Sequence, residues 1–149
     1  MPHDIRPTNA LEALDAHIAL IGTDIQRWLT LFAEDATVEF PYAPGTHLPP
    51  RLVGKQAIRE YFAHAPEVFK NLTFRDIQRY PTQDPNVAIG EAHGSATIAT
   101  TGKPYEQDYV FLVEFRDGAI VRYREYWNPN AARDSFDGLD NVAGAMGAN

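Results

Sequence analysis

The apolar positions of this chain change period part-way along its length. Leu11, Leu14, Ile18 and Ile21 recur at spacings of three and four, which predicts an amphipathic helix. Gly22 interrupts that face. Thr23 then begins a second helix, and Thr23 with Gln26 three residues on has the form of a capping box. Ile25, Trp28, Leu29 and Phe32 form its buried stripe, and Glu34-Asp35 close it. Residues 36–40 read as a short strand with Ala36, Val38 and Phe40 on one side. The stretch from Pro41 to Pro50 holds four prolines and one glycine, so it predicts a loop rather than a helix or central strand. Gly54 precedes a third helix whose Ile58, Tyr61 and Phe62 face inward, and Pro66 ends it or begins a short turn.

Beyond that point the period falls to two. Strands are predicted over 72–80, 87–100, 105–115 and 119–127, with Asp84-Pro85-Asn86 and Asp117-Gly118 as turns. Residues 1–8 read as a loose arm. Residues 137–149 contain three glycines and three alanines without a periodic face, and are expected to be a mobile tail behind a single domain at 1–136. Helices followed by long strands and tight turns make an α+β domain. A bent antiparallel sheet wrapped around the helices would leave a pocket between them.

Composition narrows the function. A length of 149 residues fits one domain, and 44% apolar with 22% charged residues is ordinary for a globular protein. A net charge of −7 disfavours nucleic acid and anionic membranes as partners. With no cysteine, disulfides, thiolate metal sites and cysteine nucleophiles are excluded. No apolar run spans a bilayer, and the N-terminus lacks the pattern of a secretion signal, so a cytoplasmic location is expected. Histidines at 3, 17, 47, 64 and 93 include no pair at ligand spacing, so no metal is expected. No phosphate-cradling loop or nucleophilic-serine motif is present, and no cofactor is expected.

Alternation nominates Glu125. In the last strand Val121, Tyr123, Glu125 and Trp127 share one face, opposite Ile120, Arg122, Arg124 and Tyr126. A carboxyl desolvated among Val, Tyr and Trp has a raised pKa and suits general acid–base work near neutral pH. The alternative is a structural carboxylate bonded to a tyrosine or arginine. His93 and Glu91 share a face of the strand over 87–100, either as a proton relay or as a polar patch at a subunit interface. The opposite face, Ala88, Gly90, Ala92, Gly94 and Ala96, suits close packing by a helix or a neighbouring subunit. Tyr61, three residues before His64, could donate to a substrate carbonyl or simply pack in the core. Tyr42 and His47 lie in the proline-rich loop, where Tyr42 is a candidate ligand contact. Tyr109 aligns with Phe111 and Val113, and with Trp28, Phe40 and Trp127 these rings are candidate pocket walls.

Specific stretches also carry a resemblance. Leu31-Phe32-Ala33-Glu34-Asp35-Ala36-Thr37-Val38-Glu39-Phe40 resembles the helix-to-strand junction of SnoaL-like proteins of the NTF2-like superfamily. Val53-Gly54-Lys55-Gln56-Ala57-Ile58-Arg59-Glu60-Tyr61-Phe62 resembles the entry to their third helix. Thr82-Gln83-Asp84-Pro85-Asn86, Tyr105-Glu106 and Arg124-Glu125-Tyr126-Trp127-Asn128-Pro129 are most similar to the PhzA/PhzB proteins of phenazine biosynthesis. The resemblance implies a cystatin-like cone with three N-terminal helices on a strongly curved, mostly antiparallel sheet, assembled as a homodimer. An outer sheet face in need of cover points to the same assembly. It also implies that Glu125 matches the PhzA/PhzB acid–base glutamate. Four departures accompany it. Phe40, Phe111 and Ala16 stand near the positions of the acid–base and tyrosine groups of the ketosteroid isomerases of this fold, and Tyr61 stands where PhzA/PhzB proteins carry a histidine. The expectation is a cofactor-free acid–base enzyme of secondary metabolism, of isomerase, cyclase, dehydratase or condensation type. It would act on a small cyclic or carbonyl compound, with Glu125, Tyr61 and His93 as catalytic candidates. The rival is a non-catalytic binding or accessory protein with the same pocket.

Overall fold

In a computed structural model, residues 6–146 of the chain are described. Helix α1 (Ala10–Leu20) starts at Asn9, whose side chain accepts from the Glu12 amide at 2.8 Å, which is ordinary N-capping. A short helix α2 (Ile25–Leu29) follows. Its cap is Asp24, which accepts from the Arg27 amide at 3.1 Å. The expected capping box at Thr23 does not form, because the Thr23 hydroxyl donates back to the Ala19 carbonyl at 2.7 Å. The second helix also ends earlier than its apolar stripe suggests. Phe32 opens strand β1 (Phe32–Glu39), where it pairs with Ile120, so sheet pairing overrides the helical period.

Strand β2 (Arg51–Val53) returns from the proline-rich loop to pair with β1, a short element that four prolines nearby had concealed. Helices α3 (Lys55–Phe62) and α4 (Ala65–Val68) come next, the latter with Pro66 in its first turn. The long strands β3 (Phe69–Pro81), β4 (Val87–Ile98), β5 (Pro104–Arg116) and β6 (Ala119–Tyr126) complete a six-stranded sheet in the order β2-β1-β6-β5-β4-β3. Only the β1–β6 pairing is parallel.

Bulges curve this sheet. β3 breaks register twice against β4, near Asn71 and Asp76, which hold φ of 57° and 54°. Asn and Asp tolerate that region better than other residues with a Cβ. β6 carries an extra residue against β5, so Ile120 and Tyr123 are both buried although three apart. Alternation from Tyr123 onward then puts Glu125 and Trp127 inside.

The small-residue row of β4 lies under α1. Ala88 and Ala92 are buried, and a Cβ on Gly90 would meet Leu14 of α1 at 2.9 Å. Asp15 of α1 and Arg79 of β3 add a two-point ion pair at 2.6 and 2.7 Å. Residues 137–146 differ from the mobile tail expected of them. After α5 (Pro129–Phe136), helix α6 (Leu139–Ala145) buries Val142, Ala143 and Met146. These few apolar positions meet a cavity edge that already exists, which is why no period within the segment announces the helix. The loose arm expected at 1–8 lies mostly outside the described residues. Among those described, no helix is long and apolar enough to cross a membrane.

Gly94 provides a test of the packing. A Cβ there would lie 2.9 Å from Tyr109 and 3.3 Å from Phe74. A ring moves only as a whole, whereas a leucine can turn to another rotamer. Gly94→Ala should therefore lose about 1–3 kcal/mol in urea unfolding, and Gly90→Ala less. Equal effects at both positions would contradict this packing.

Candidate active site

A cavity opens between the inner sheet face and the helices. It has a volume of ≈ 90 Å³. A water needs roughly 10–15 Å³, so this is room for several waters or one small ring. Its walls come from every layer: Tyr61 and Phe62 from α3, Phe74 from β3, Tyr105, Tyr109 and Phe111 from β5, Val142 from α6 and Met146 just after it. Among the described residues, Glu125 is the only acidic one in the lining, and no lysine or arginine joins it.

Burial governs the carboxyl. Desolvation raises the Glu125 pKa to about 7, against a smaller opposing effect from the hydrogen bond that the Tyr123 hydroxyl donates to it. That bond is 2.7 Å long and ends on Oε1. Behind it stands a second buried group. The Tyr123 oxygen lies 3.0 Å from Nε2 of His17, and the Trp28 indole N–H donates to Nδ1 of His17 at 2.9 Å. His17 is fully buried in α1, and desolvation lowers its pKa to about 3. It is therefore neutral at physiological pH.

Hydroxyls face the carboxyl from the other walls. The hydroxyls of Tyr105 and Tyr109 are 2.6 Å apart, so one donates to the other and one proton of the pair remains for a ligand. Tyr61, Tyr105 and Tyr109 are all pushed above the usual phenol range, first by burial and then also by the nearby Glu125 charge. They are donors, not bases. Gln107 is buried in β5 and exchanges two hydrogen bonds with the backbone of Asn128, at 2.8 and 3.0 Å. That clamp fixes the chain just after Trp127.

The structure brings together some of the nominated residues and separates others. Glu125, Tyr61, Phe40, Tyr109, Phe111 and Trp127 all line the cavity. Trp28 does not; it sits one layer behind, on His17. Tyr42 is 54% exposed and lies outside the cavity, edge-on to Tyr126. His93 also lies away from the cavity. The alternation that turns Ala92 and Gly94 inward turns His93 to the outer sheet face, between Glu106 at 2.7 Å and Asp108 at 2.8 Å. Those two bonds, Glu106 first, raise its pKa. His93 thus belongs to a surface ion cluster, and its partner there is Glu106 rather than Glu91, which accepts from Tyr80. Sequence reasoning missed His17. The available signal was a histidine inside the apolar stripe of α1, between Leu14 and Ile18.

Comparison with known proteins agrees with this architecture. A model of the SnoaL-like domain matches residues 10–123. The chain belongs to the SnoaL-like family. A PhzA/B-like protein of Pseudomonas aeruginosa is 35% identical over 136 residues, covering 91% of this chain and 95% of that protein. The crystal structure of a candidate isomerase from Bacillus subtilis superposes with a TM-score of 0.80 at 39% identity, covering 87% of this chain and 93% of that one. A candidate polyketide cyclase from a Silicibacter species shares the fold, with a TM-score of 0.73 at 18% identity over 89% of this chain and 98% of its own.

The half-buried Glu125 and the buried His17, both desolvated, make opposite demands on stability. Glu125 holds its proton more tightly folded than unfolded, so its contribution is present below about pH 4.5 and is lost as pH rises to about 7. His17 does the reverse: stability is present above about pH 6.5 and is lost as pH falls toward 3. Between about pH 4.5 and 6.5 the slopes oppose each other. Glu125→Gln removes one of them. Its urea midpoint relative to the unsubstituted protein should climb steadily from pH 4.5 to 7.5, and a difference constant with pH would contradict the desolvated carboxyl.

Proposed function

We propose that this SnoaL-like protein is a cofactor-free acid–base enzyme of isomerase or cyclase type, acting on a small uncharged ring compound that carries a carbonyl group. The observation that carries the reading is a lone carboxyl with a pKa of about 7 opening into an apolar cavity bearing tyrosine hydroxyls. Near neutral pH such a group is present as both acid and base. Glu125 would take a proton from a carbon next to the carbonyl. The electron pair of the broken C–H bond moves toward the carbonyl oxygen, where Tyr61 or the Tyr105–Tyr109 pair donates a hydrogen bond. Glu125 then returns the proton at a second carbon, so no atom is gained or lost. The description of the B. subtilis structure as a candidate isomerase supports the same class.

Charge argues for an uncharged ligand. Among the described residues the lining offers no cation, and the neutral His17 is not one. A carboxylate brought into this cavity would lose its hydration without a counter-charge. At pH 8, cyclohex-2-enone should shift the NMR signals of the cavity tyrosines, and cyclohex-1-ene-carboxylate should bind about tenfold more weakly or worse. With a turned-over ring ketone, Glu125→Gln should lose roughly a hundredfold or more in kcat. Unchanged turnover would overturn the catalytic role. Ligand shifts without any turnover would favour a binding protein built on the same pocket.

We further propose a homodimer through the outer sheet face. There Val87, Ile89, Val110 and Leu112 stay half-exposed, with Tyr80 more so. Light scattering at micromolar concentration should give twice the chain mass, and a single-chain mass would contradict the proposal.

A further inference from the structure

Four side chains form one hydrogen-bonded line that runs from Trp28 and Tyr123, behind the cavity wall, to His17 and Glu125 in its lining: Trp28, His17, Tyr123 and Glu125. Its direction is fixed by chemistry at one end. An indole nitrogen can only donate. Nδ1 of His17 must therefore accept, and cannot carry a proton itself. In a neutral imidazole the proton then sits on Nε2. That N–H points at the Tyr123 oxygen, 3.0 Å away, and occupies one of its lone pairs. The Tyr123 hydroxyl proton is left to go to Oε1 of Glu125. A protonated His17 would set an Nδ1–H against the indole N–H, so the geometry opposes the imidazolium independently of burial.

The end of the line matters for chemistry. Oε1 of Glu125 is engaged, whereas Oε2 has no hydrogen-bond partner among the described residues and is not sealed from the cavity. We propose that His17, locked by Trp28 as the neutral Nε2–H tautomer, is a positioning residue that holds the Tyr123 hydroxyl on Oε1 of Glu125, so that Oε2 alone exchanges a proton with a cavity ligand. The proposal rests on the reading of Glu125 as the acid–base group, and adds the device that chooses which oxygen works. In this role His17 acts on Glu125 through the Tyr123 hydroxyl. It does not shuttle a proton, because a shift along the line would have to end on the indole.

Substitution separates positioning from proton transfer and from packing. A glutamine at position 17 can accept from Trp28 with its carbonyl and donate to Tyr123 with its amide, preserving the direction without a titrating group. A leucine can do neither. The readout is the Glu125 carboxyl pKa by carbon-13 NMR, which needs no substrate. His17→Leu frees the Tyr123 hydroxyl to turn away, and Tyr123→Phe removes it. Each should raise the Glu125 pKa by about one pH unit or more, since a hydrogen bond to the charged form is lost. His17→Gln should leave the pKa near its unsubstituted value. Nitrogen-15 NMR of the unsubstituted protein should show His17 in the Nε2–H form with no titration from pH 5 to 8. Should His17→Leu fail to fold, the Tyr123→Phe titration and the nitrogen-15 spectrum still decide. An Nδ1–H tautomer, a titrating His17, an unmoved pKa in Tyr123→Phe, or equal shifts in the leucine and glutamine variants would each overturn the proposal. All of these are independent of whether Glu125→Gln loses turnover, so the two ideas fail separately.

Discussion

The desolvation of one carboxyl group organises this molecule. Glu125 is placed where water is scarce and no cation is at hand, so it is held near its own point of neutralisation. A lysine or arginine in the lining would lower its pKa and turn it into a fixed charge. The tyrosines supply polarity without supplying charge. Their hydroxyls can bond to a ligand oxygen, yet their pKa values move upward and keep them protonated. The arginines of β6 face the other way, toward Glu39 on β1, with Arg122 at 2.8 Å and Arg124 at 3.2 Å. The strand thus keeps its arginines on the outer face and Glu125 on the inner face.

That separation depends on register. A slip of one residue in β6 would put Arg124 in the cavity and Glu125 outside. The bulge between the β6 residues opposite Glu114 and Phe115 sets the register, burying both Ile120 and Tyr123. From Tyr123 onward the pleat does the rest. Helix α1 is equally constrained, because the glycines and alanines of β4 let it lie close enough to bring His17 against Tyr123 and Phe111. Fold and site share these contacts.

Much of this was legible in the sequence. The two-residue period gave the long strands, and alternation grouped Glu125 with Tyr123 and Trp127 on the more apolar face, although the bulge puts Ile120 rather than Val121 on that side. The same alternation argued that Ala88, Gly90 and Ala92 form a packing surface, and the structure seats α1 on it. What was hidden depends on contacts distant in the chain. His17 reads as one more residue of an apolar helix until Trp28, eleven positions later, and Tyr123, over a hundred later, close on it. His93 sits on a face that the pattern identified, but alternation could not say which face was the inner one. Tyr42 depended on the path of a proline-rich loop, which has no period to read. Helix α6 was concealed because its apolar residues are few and find their partners on the cavity edge.

Desolvation holds the Glu125 carboxyl well above the usual glutamate range, close to neutral pH. Carbon-13 carboxyl NMR across pH 4 to 9 tests it directly on the unsubstituted protein. The account predicts a Glu125 resonance that titrates near pH 7, well above the ordinary glutamate value of about 4.3. A midpoint at the ordinary value would mean that water or an unseen counter-charge reaches the carboxyl, and the proposed acid–base chemistry would lose its acid.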